Sequence, residues 1–448
     1  MPFVFMKYSK YNYLFKSRYG FLLYNSASNA FIKLSEKLFL MLDGIEKGIS
    51  TIDQLDSNVV ESLYKAKIFV DDDNVVLYKK RLQYYFNTFD STNLGLAIAP
   101  TTNCNFSCVY CYEGSRKPMY MSADVENAIL RFIKSHKRVE KLNLIWYGGE
   151  PLLGFESIKR LLNGIDKISN LKLCKHTMTT NGFLLTEEKA LFFREYPLDC
   201  VQITIDGNKE MHNCRRKLSV GNVGTYDTIV SNIDTFISIN PNTRIAIRAN
   251  LDHSNLNTFV EEYNDLTNRW KEKNVIVYPA FVQDFRSIIK NVSEDNFAIN
   301  GCRDVCLTSS EKLAFFEELR KKFNLKINFT PQYAIGGCGA TVLNYYVVGP
   351  EGELYKCWND IGNKDAIVGN VLSDKITNYD LLSRYLAGPS MSDDAKCIDC
   401  KLYPICDGGC TWNRHKNIFE GAKIDLCSNR SANPQKSFEL YYEQINNL

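Results

Sequence analysis

The spacing of hydrophobic positions changes along the chain and divides it into three regions followed by a final helix. Residues 1–90 carry short apolar runs between polar turns, and then apolar positions at helical spacing. We expect strands at 4–8, 12–15 and 21–24, helical segments at 35–46, 52–55 and 59–66, and a hairpin at 69–77. Strands, then helices, then a hairpin is the order of a winged-helix-like module. Ser35 is the predicted N-cap of the first helix.

Residues 91–290 alternate between strand-like and helical patterns. Strands are predicted at 94–99, 142–147, 176–180, 201–205, 244–250 and 275–281, with helices at 122–137, 156–168, 187–193, 226–237 and 256–270. Such repetition indicates parallel strands joined by crossover helices. Six units predict an α/β domain of the partial, TIM-like (β/α)6 barrel type. In such folds the reactive site lies at the C-terminal ends of the strands.

Residues 300–430 have glycine-rich turns, short strands and no long helical period. That period returns only at 436–446, within a C-terminal helical segment at 431–448. A region with so little apolar core commonly depends on bound metal for its stability. We therefore expect the cysteines that concentrate in this region to hold metal.

Length and composition narrow the class of protein. A chain of 448 residues favours two or three domains, and a formal net charge of +3 offers no strongly basic face for nucleic acid. No apolar run is long enough for a membrane-spanning helix, and the N-terminus lacks the pattern of a secretory signal. We expect a cytoplasmic protein, in which the 15 cysteines are mostly metal ligands rather than disulfides.

Three closely spaced cysteines follow the first strand of the alternating region. Cys104, Cys108 and Cys111 have the spacing Cys-x3-Cys-x2-Cys, with the aromatic residue Tyr110 before the last of them. A four-iron cubane takes four ligands, usually thiolates. Three cysteines leave one iron open, and that iron can chelate the amino and carboxylate groups of S-adenosylmethionine (SAM). The alternative is a zinc site completed by a histidine, but no histidine lies in the loop.

This loop resembles the signature of the radical SAM superfamily. The resemblance implies a [4Fe–4S] cluster on the three cysteines and reductive cleavage of SAM to a 5′-deoxyadenosyl radical. After the second strand, Gly148, Gly149, Glu150 and Pro151 resemble the Gly-Gly-Glu-Pro motif that binds the amino group of SAM. Glycine lets backbone carbonyls approach a cationic amine closely, and the carboxylate can complete the pairing.

Later strand ends carry segments that resemble those of the peptide-modifying branch of the superfamily. By this resemblance the following residues are further SAM contacts, through hydroxyl, amide and guanidinium groups: Thr180, Asn181, Thr204, Asp206, Arg216, Arg248 and Asn250. His212 lies between two of them in sequence. The segment at 204–207 has threonine where the family more usually has serine, and the hydroxyl group is retained.

The cysteines near the C-terminus resemble the SPASM extension, which binds two auxiliary [4Fe–4S] clusters in addition to the SAM-binding one. By that resemblance the outer cluster is held by Cys397, Cys400, Cys406 and Cys427, and the inner one by Cys338, Cys357 and Cys410. The fourth ligand of the inner cluster stays open between Cys302, Cys306, a substrate cysteine or none. Two zinc ribbons are the alternative reading of this region.

The N-terminal module bears on the substrate. It resembles the peptide-recognition elements (RREs) of maturases that modify ribosomally made peptides (RiPPs). Those elements add a leader peptide to an exposed sheet edge. A structural cap or a dimerisation element is the alternative.

We therefore expect a maturase of a precursor peptide, with thioether cross-linking through cysteine sulfur as the first reaction and carbon–carbon cross-linking as the second. It would take electrons from a donor such as flavodoxin or ferredoxin. An anaerobic sulfatase maturase and a non-enzymatic metal-binding scaffold are the other readings.

Overall fold

The computed structural model describes residues 6–113, 116–283, 306–323, 328–373 and 375–447. The chain divides into two compact units. The first comprises Met1–Thr88, Thr308–Cys338 and Ala387–Leu448, and the second comprises Phe89–Leu307 and Gly339–Leu386. Each unit has a hydrophobic core of its own.

The N-terminal residues form a small antiparallel sheet followed by helices. Its elements are β1 (Lys7–Tyr8), β2 (Asn12–Ser17), β3 (Gly20–Asn25), β4 (Ala30–Leu34), α1 (Glu36–Glu46), α2 (Ser57–Lys65), β5 (Phe69–Val70) and α3 (Asn74–Thr88). The strand order is β2-β3-β4, and β1 pairs separately with β5. The predicted N-cap is confirmed, because the Ser35 hydroxyl accepts a hydrogen bond from the Leu38 N–H at 3.3 Å.

The hairpin predicted at 69–77 is wrong. Only its first two residues are extended, as β5, and α3 begins at Asn74. The polar residues that suggested a hairpin tip have other roles. The Asp72 carboxylate accepts the Asn74 N–H at 3.0 Å at the start of the helix. The Asp73 carboxylate is buried and accepts the Ser9 hydroxyl at 2.7 Å, which ties the helix start to the chain beside β1.

The second unit contains the predicted parallel sheet. Its elements up to residue 283 are β6 (Asn93–Ile98), β7 (Phe106–Cys108), α4 (Ala123–Ser135), β8 (Lys141–Trp146), α5 (Phe155–Asp166), β9 (Lys172–Thr180), α6 (Glu187–Glu195), β10 (Cys200–Thr204), α7 (Lys209–Arg215), β11 (Arg216–Leu218), α8 (Tyr226–Ile239), β12 (Arg244–Leu251), α9 (Leu256–Arg269) and β13 (Val275–Phe281). Six strands run parallel in the order β6-β8-β9-β10-β12-β13. The α/β partial barrel is thus confirmed.

The remaining elements are α10 (Ser309–Phe323), β14 (Tyr345–Val348), β15 (Glu353–Tyr355), β16 (Gly369–Asn370), β17 (Lys375–Ile376), α11 (Tyr379–Leu386), α12 (Ala395–Ile398), α13 (Thr411–Glu420), α14 (Asn429–Ala432) and α15 (Pro434–Ile445). β14 pairs in parallel with β6, and β15 to β17 extend the same sheet antiparallel. The expectation that 300–430 lacks longer helices is wrong, because α10 and α13 lie there.

Burial explains why the parallel strands read as near-continuous apolar runs. Leu94, Leu96 and Ile98 of β6 are fully buried, and so are the neighbouring residues Ala97 and Ala99, so both faces of the strand are covered. The described helices include none that is long and apolar enough to cross a membrane.

Candidate functional site

The three-cysteine loop lies at the C-terminal end of β6 and is held by a short second sheet. Within the loop, β7 pairs antiparallel with β11, which places Cys108 opposite Arg216. The Ser219 N–H extends this pairing by donating to the Asn105 carbonyl at 2.8 Å. The backbone pairing of β7 with β11 therefore fixes Arg216 beside Cys108, the middle cysteine of the loop.

The three thiols of the loop suit an iron–sulfur cluster better than a single metal ion. Cys104, Cys108 and Cys111 are free thiols. Burial raises the pKa of the Cys111 thiol to about 12 and raises the pKa of Cys104 and Cys108 as well. The Phe106 N–H donates to the Cys104 sulfur at 3.4 Å, the kind of contact that tunes a cluster thiolate. The described residues form no group of three His, Cys, Asp or Glu side chains around a single ion. In a cubane each thiolate binds a different iron, so the thiols need not meet at one point.

The paired glycines after β8 lie directly against the backbone of the cysteine loop. A Cβ added at Gly149 would lie 2.3 Å from the Asn103 carbonyl oxygen and 2.6 Å from that of Thr102. Gly148 has a φ of +117° and would bring a Cβ within 2.4 Å of the Thr101 carbonyl oxygen. No side chain fits at either position while the loop backbone stays where it is. The structure thus gives the glycines a role in seating the cysteine loop itself.

Glu150 is fully buried and links two of the predicted SAM-binding segments. Its carboxylate accepts the Thr180 hydroxyl at 2.7 Å, the Asn181 N–H at 2.7 Å and the Leu152 N–H at 3.0 Å. Burial raises the pKa of Glu150, and these hydrogen bonds oppose that rise. A carboxylate has about four acceptor positions, so the three bonds leave one for a ligand amine. Pro151 begins the single helical turn that follows.

Four predicted residues meet in one buried hydrogen-bond cluster. The Tyr110 hydroxyl donates to the Asp206 carboxylate at 2.5 Å and accepts from the Arg216 guanidinium at 2.6 Å and the Asn250 amide at 3.0 Å. The Asn250 N–H also donates to Asp206 at 2.9 Å. The Arg216 Nε is buried and has no hydrogen-bond partner among the described residues. A buried donor in this state fits an anionic neighbour such as a cluster or a ligand carboxylate.

The remaining predicted contacts surround this cluster. The Asn181 amide donates to the Asn105 side chain at 2.8 Å, which joins the end of β9 to the cysteine loop. Thr204 and Arg248 are register partners on β10 and β12, and the Arg248 Nε donates to the Asn250 carbonyl oxygen of the side chain at 2.8 Å. The sheet therefore brings all these side chains to the same edge.

Two neighbours complete the packing. His212 is buried, and burial together with the Arg216 charge lowers its pKa well below the usual range. Its Nδ1 accepts the Asp206 backbone N–H at 3.3 Å, so the neutral ring holds the backbone that carries this carboxylate. Arg215, which the sequence analysis did not select, lies 3.6 Å from Asp206 and 2.8 Å from Asp252, with its guanidinium over the Tyr110 ring. The Arg-Arg dipeptide at 215–216 was the available signal.

A second network lies on the other side of the loop. The Tyr112 and Tyr147 hydroxyls are 2.6 Å apart, and Tyr147 also donates to Glu113 at 2.9 Å. Glu113 pairs with Arg116 at 3.0 Å, and Arg116 donates to the Trp358 carbonyl at 3.1 Å. The Tyr147 and Trp358 rings stack with their centroids 5.1 Å apart. This network ties the end of the cysteine loop to the segment that follows Cys357.

The structure brings the four cysteines assigned to the outer cluster into one neighbourhood. Cys427 interacts electrostatically with Cys397, Cys400 and Cys406, and all four are free thiols. Three of the sulfurs accept hydrogen bonds. The donors are the Leu402 N–H to Cys400 at 3.4 Å, the Gly408 N–H to Cys406 at 3.4 Å and the Arg414 guanidinium to Cys397 at 3.6 Å. Several thiols with N–H donors aimed at them fit an iron–sulfur cluster.

Of the three cysteines assigned to the inner cluster, Cys338 and Cys410 belong to the first unit. Cys410 interacts electrostatically with Cys338 in the first unit. Cys357 follows β15 in the second unit. Cys306 is among the described residues, whereas Cys302 lies outside them.

Residues 98–266 match the family model described as the Radical SAM superfamily. This segment is a radical SAM domain, and the chain that contains it is an enzyme. The matched segment begins at the end of β6 and contains the cysteine loop, the paired glycines and the Tyr110 cluster. It ends within α9, before the cysteines of the C-terminal region.

Relatives that align with most of this chain act in different reactions. A cysteine-type anaerobic sulfatase-maturating enzyme of Clostridium novyi (strain NT) is 22% identical over 79% of this chain and 95% of its own length. The radical SAM cyclopropyl synthase TigE of Paramaledivibacter caminithermalis is 20% identical over 90% of this chain and 89% of its own length.

SuiB of Streptococcus suis shares the fold. Its crystal structure with bound precursor peptide SuiA superposes with a TM-score of 0.50 at 16% identity, over 91% of this chain and 96% of that one. The structure with bound SAM gives a TM-score of 0.52 over 94% and 99%. The shared architecture therefore extends beyond the radical SAM domain.

Proposed function

We propose that this enzyme modifies a peptide or protein substrate by radical chemistry, with thioether cross-linking of a precursor peptide as the first candidate reaction. One observation carries the proposal: the three-cysteine loop is seated on the paired glycines beside the buried Tyr110 cluster, at the C-terminal edge of a parallel sheet. That arrangement places three thiols and polar groups for an amino acid ligand in one region, and a cluster held by the three thiols would keep one iron open.

The residues divide the work of holding the cofactors. Cys104, Cys108 and Cys111 would bind the [4Fe–4S] cluster, and Glu150 would use its remaining acceptor position for the SAM amino group. Arg216, whose buried Nε has no hydrogen-bond partner in the part of the chain that the structure describes, would face negative charge on the cluster or the SAM carboxylate. When bound, cluster and SAM together supply a one-electron cleavage that yields a hydrogen-abstracting radical. The protein's own contribution is positioning and exclusion of water.

Two auxiliary clusters are part of the proposal. The outer one would be held by Cys397, Cys400, Cys406 and Cys427, and the inner one by Cys338, Cys357 and Cys410, with its fourth ligand open. The N–H donors aimed at three outer sulfurs support the first assignment. A flavodoxin or ferredoxin would supply electrons.

A peptide substrate is supported by two features. SuiB, which shares the fold, has been solved with a precursor peptide. In this chain β2 and β4 are the outer strands of a three-stranded antiparallel sheet. An outer strand is the kind of edge to which a leader peptide can add. We infer that residues 1–90 contribute to leader recognition in this way.

The test uses a candidate precursor peptide encoded next to this gene. Anaerobically reconstituted enzyme, SAM and a one-electron reductant are incubated with the peptide, and the product mass and free thiol are measured. Loss of two hydrogens with loss of one thiol supports a thioether, and the peptide without its leader should be modified more slowly. Loss of two hydrogens with the thiol retained points to a carbon–carbon bond instead.

The control variant is Cys108→Ala, with Cys174→Ala as its match because Cys174 lies on β9 outside every cysteine motif. Cys108→Ala should abolish 5′-deoxyadenosine formation, since the site-differentiated cluster loses a ligand. Cys174→Ala should retain it. Deoxyadenosine at the wild-type rate from Cys108→Ala would refute the ligand assignment.

Sulfatase maturation is the second candidate, because a cysteine-type sulfatase-maturating enzyme aligns with 79% of this chain. A sulfatase-derived peptide with an unmodified cysteine separates the two. Conversion of that cysteine to formylglycine exchanges its sulfur for an aldehyde oxygen, which mass spectrometry distinguishes from a cross-link that keeps the sulfur.

A further inference from the structure

One lysine ammonium in the first unit is buried where no carboxylate partners it. Lys80 of α3 is fully buried. Its Nζ donates to the carbonyl oxygens of Tyr403 and Cys406, at 2.6 Å each, and lies 4.4 Å from the centre of the Tyr403 ring. Among the described residues no salt bridge joins this ammonium to an acid. A buried charge without an ionic partner is destabilising, so a further source of negative charge would stabilise this site.

The thiols of the outer set are the neighbours that can supply it. The Lys80 ammonium interacts electrostatically with Cys406 and Cys397, and with Asp407, whose side chain is solvent-exposed. A cluster bound by four thiolates carries net negative charge, because the thiolates outweigh the charge of the iron–sulfur core. The ammonium and such a cluster would therefore be complementary.

A second buried cation in the same region differs from Lys80. Arg414 donates to the Cys397 sulfur at 3.6 Å, but its charge is already paired with Asp394 at 3.0 Å. Asp394 is also the N-cap of α12, the helix that carries Cys397. Arg414 is thus a hydrogen-bond donor within a neutral pair, whereas Lys80 adds a full positive charge.

We propose that Lys80 is the electrostatic partner of a cluster held by Cys397, Cys400, Cys406 and Cys427, and that it raises the reduction potential of that cluster. This inference rests on the auxiliary cluster of the proposed function. Reduction adds one electron to the cluster and no proton, so the product is more negative by one charge. A nearby buried cation stabilises that product more than the oxidised form. Helix α3 is then part of the auxiliary site and not only of a recognition module.

The experiment is a potentiometric titration of the holoenzyme with dithionite and mediators, followed by electron paramagnetic resonance. The signal of the outer cluster is identified as the one that Cys400→Ala removes. Lys80→Met keeps the length of the side chain and deletes its charge. The matched control is Lys79→Met, which makes the same change on the exposed side of the same helix, where solvent screens the charge.

We expect the potential of the Cys400-dependent signal to move to more negative values in Lys80→Met and to stay at the wild-type value in Lys79→Met. An unchanged potential in Lys80→Met with full iron content overturns the role of Lys80 while leaving the cluster in place. Absence of any Cys400-dependent signal in the wild type instead removes the auxiliary cluster itself, and the Lys80 role with it.

Loss of the outer cluster in Lys80→Met has its own discriminating variant. Lys80→Arg keeps the positive charge with a different shape. Iron retained in Lys80→Arg and lost in Lys80→Met supports the charge requirement. Loss of iron in both variants overturns it, because packing rather than charge then decides.

Discussion

At the scale of single residues, the site depends first on a steric fit between the paired glycines and the cysteine loop. The Gly-Gly pair resembles a SAM-binding motif, yet the structure shows what the glycines do without any ligand. They let the turn after β8 lie directly against the carbonyl oxygens of the cysteine loop. The chemistry of the loop thus depends on a backbone contact that a methyl group would break.

Gly149→Ala should therefore lower cluster occupancy and SAM cleavage together. Its added methyl would meet two backbone carbonyl oxygens that cannot rotate away, so the loop must move. Iron per chain and deoxyadenosine formation measure the effect.

Gly164→Ala is the matched control, because its new methyl meets only the flexible end of the Leu130 side chain and lies inside α5. It should leave both readouts near wild type. Full iron content and activity in Gly149→Ala would show that the loop does not need this close approach.

The residue pattern anticipated much of the site but not its internal bonding. The cysteine spacing and the strand-end motifs identify Tyr110, Asp206 and Asn250, which the structure joins in one cluster. The bonds from Thr180 and Asn181 to Glu150 could not be predicted, since they depend on how the ends of β8 and β9 meet. Lys80 was missed for a related reason: it follows the predicted hairpin, where no helix was expected and a lysine is expected in solvent.

At the scale of elements, the strands and helices of the parallel sheet were predictable where the hydrophobic pattern was long. The six parallel strands were found because most of them are apolar runs that alternate with helical patterns. The hairpin expected at 69–77 failed because Asp72 and Asp73 serve as a helix start and a tertiary anchor. Short polar clusters specify a change of direction, but the structure on either side is decided by tertiary contacts.

A buried histidine between two neighbouring strands makes the stability of the protein depend on pH. His176 on β9 accepts the Trp146 indole N–H from β8 at 2.8 Å, and its Nδ1 lies 3.0 Å from the Pro197 carbonyl. Burial lowers the pKa of His176 from 6.5 to about 4, against smaller opposing effects of Pro197 and Asp199. The native ring therefore stays neutral in a range where the unfolded chain takes up a proton.

The sign of the resulting pH dependence follows. Below pH 6.5 the unfolded state binds a proton that the native state refuses until about pH 4, so stability falls as pH falls through this window. The loss can reach ~3 kcal/mol. Urea unfolding at several pH values measures it.

The difference between wild type and His176→Gln isolates this contribution, because the variant cannot take up the proton and should lose that part of the slope. His136→Gln, at the end of α4, should keep it. Equal slopes in wild type and His176→Gln would contradict the assignment.

At the scale of the whole molecule, the two compact units do not follow the order of the sequence. The first unit combines residues 1–88 with two later segments. Its core places Phe15, Leu22 and Tyr24 of the N-terminal sheet against Phe438 and Tyr441 of α15. A module that resembles a detachable recognition element is thus built into the unit that carries the outer cysteines.

Deletion of residues 1–88 should consequently do more than weaken peptide binding. It would remove one side of the core around Phe438. It would also remove the Lys80 ammonium, which binds the Cys406 carbonyl in the segment of the outer cysteines. We expect the truncated chain to lose iron and to become protease-sensitive within 387–447. Iron analysis and limited proteolysis with mass mapping measure both effects.

Phe438→Ala in the full-length chain separates core loss from loss of the N-terminal residues. Phe438 is fully buried and its ring lies 4.2 Å from that of Tyr24. Its truncation should cost about 3–5 kcal/mol while leaving β4 and α3 in the chain. If the deletion variant keeps its full iron content and resists protease, the N-terminal residues are a separable module after all. If the deletion variant loses iron and becomes protease-sensitive while Phe438→Ala still binds the peptide, the N-terminal residues serve both the auxiliary site and recognition.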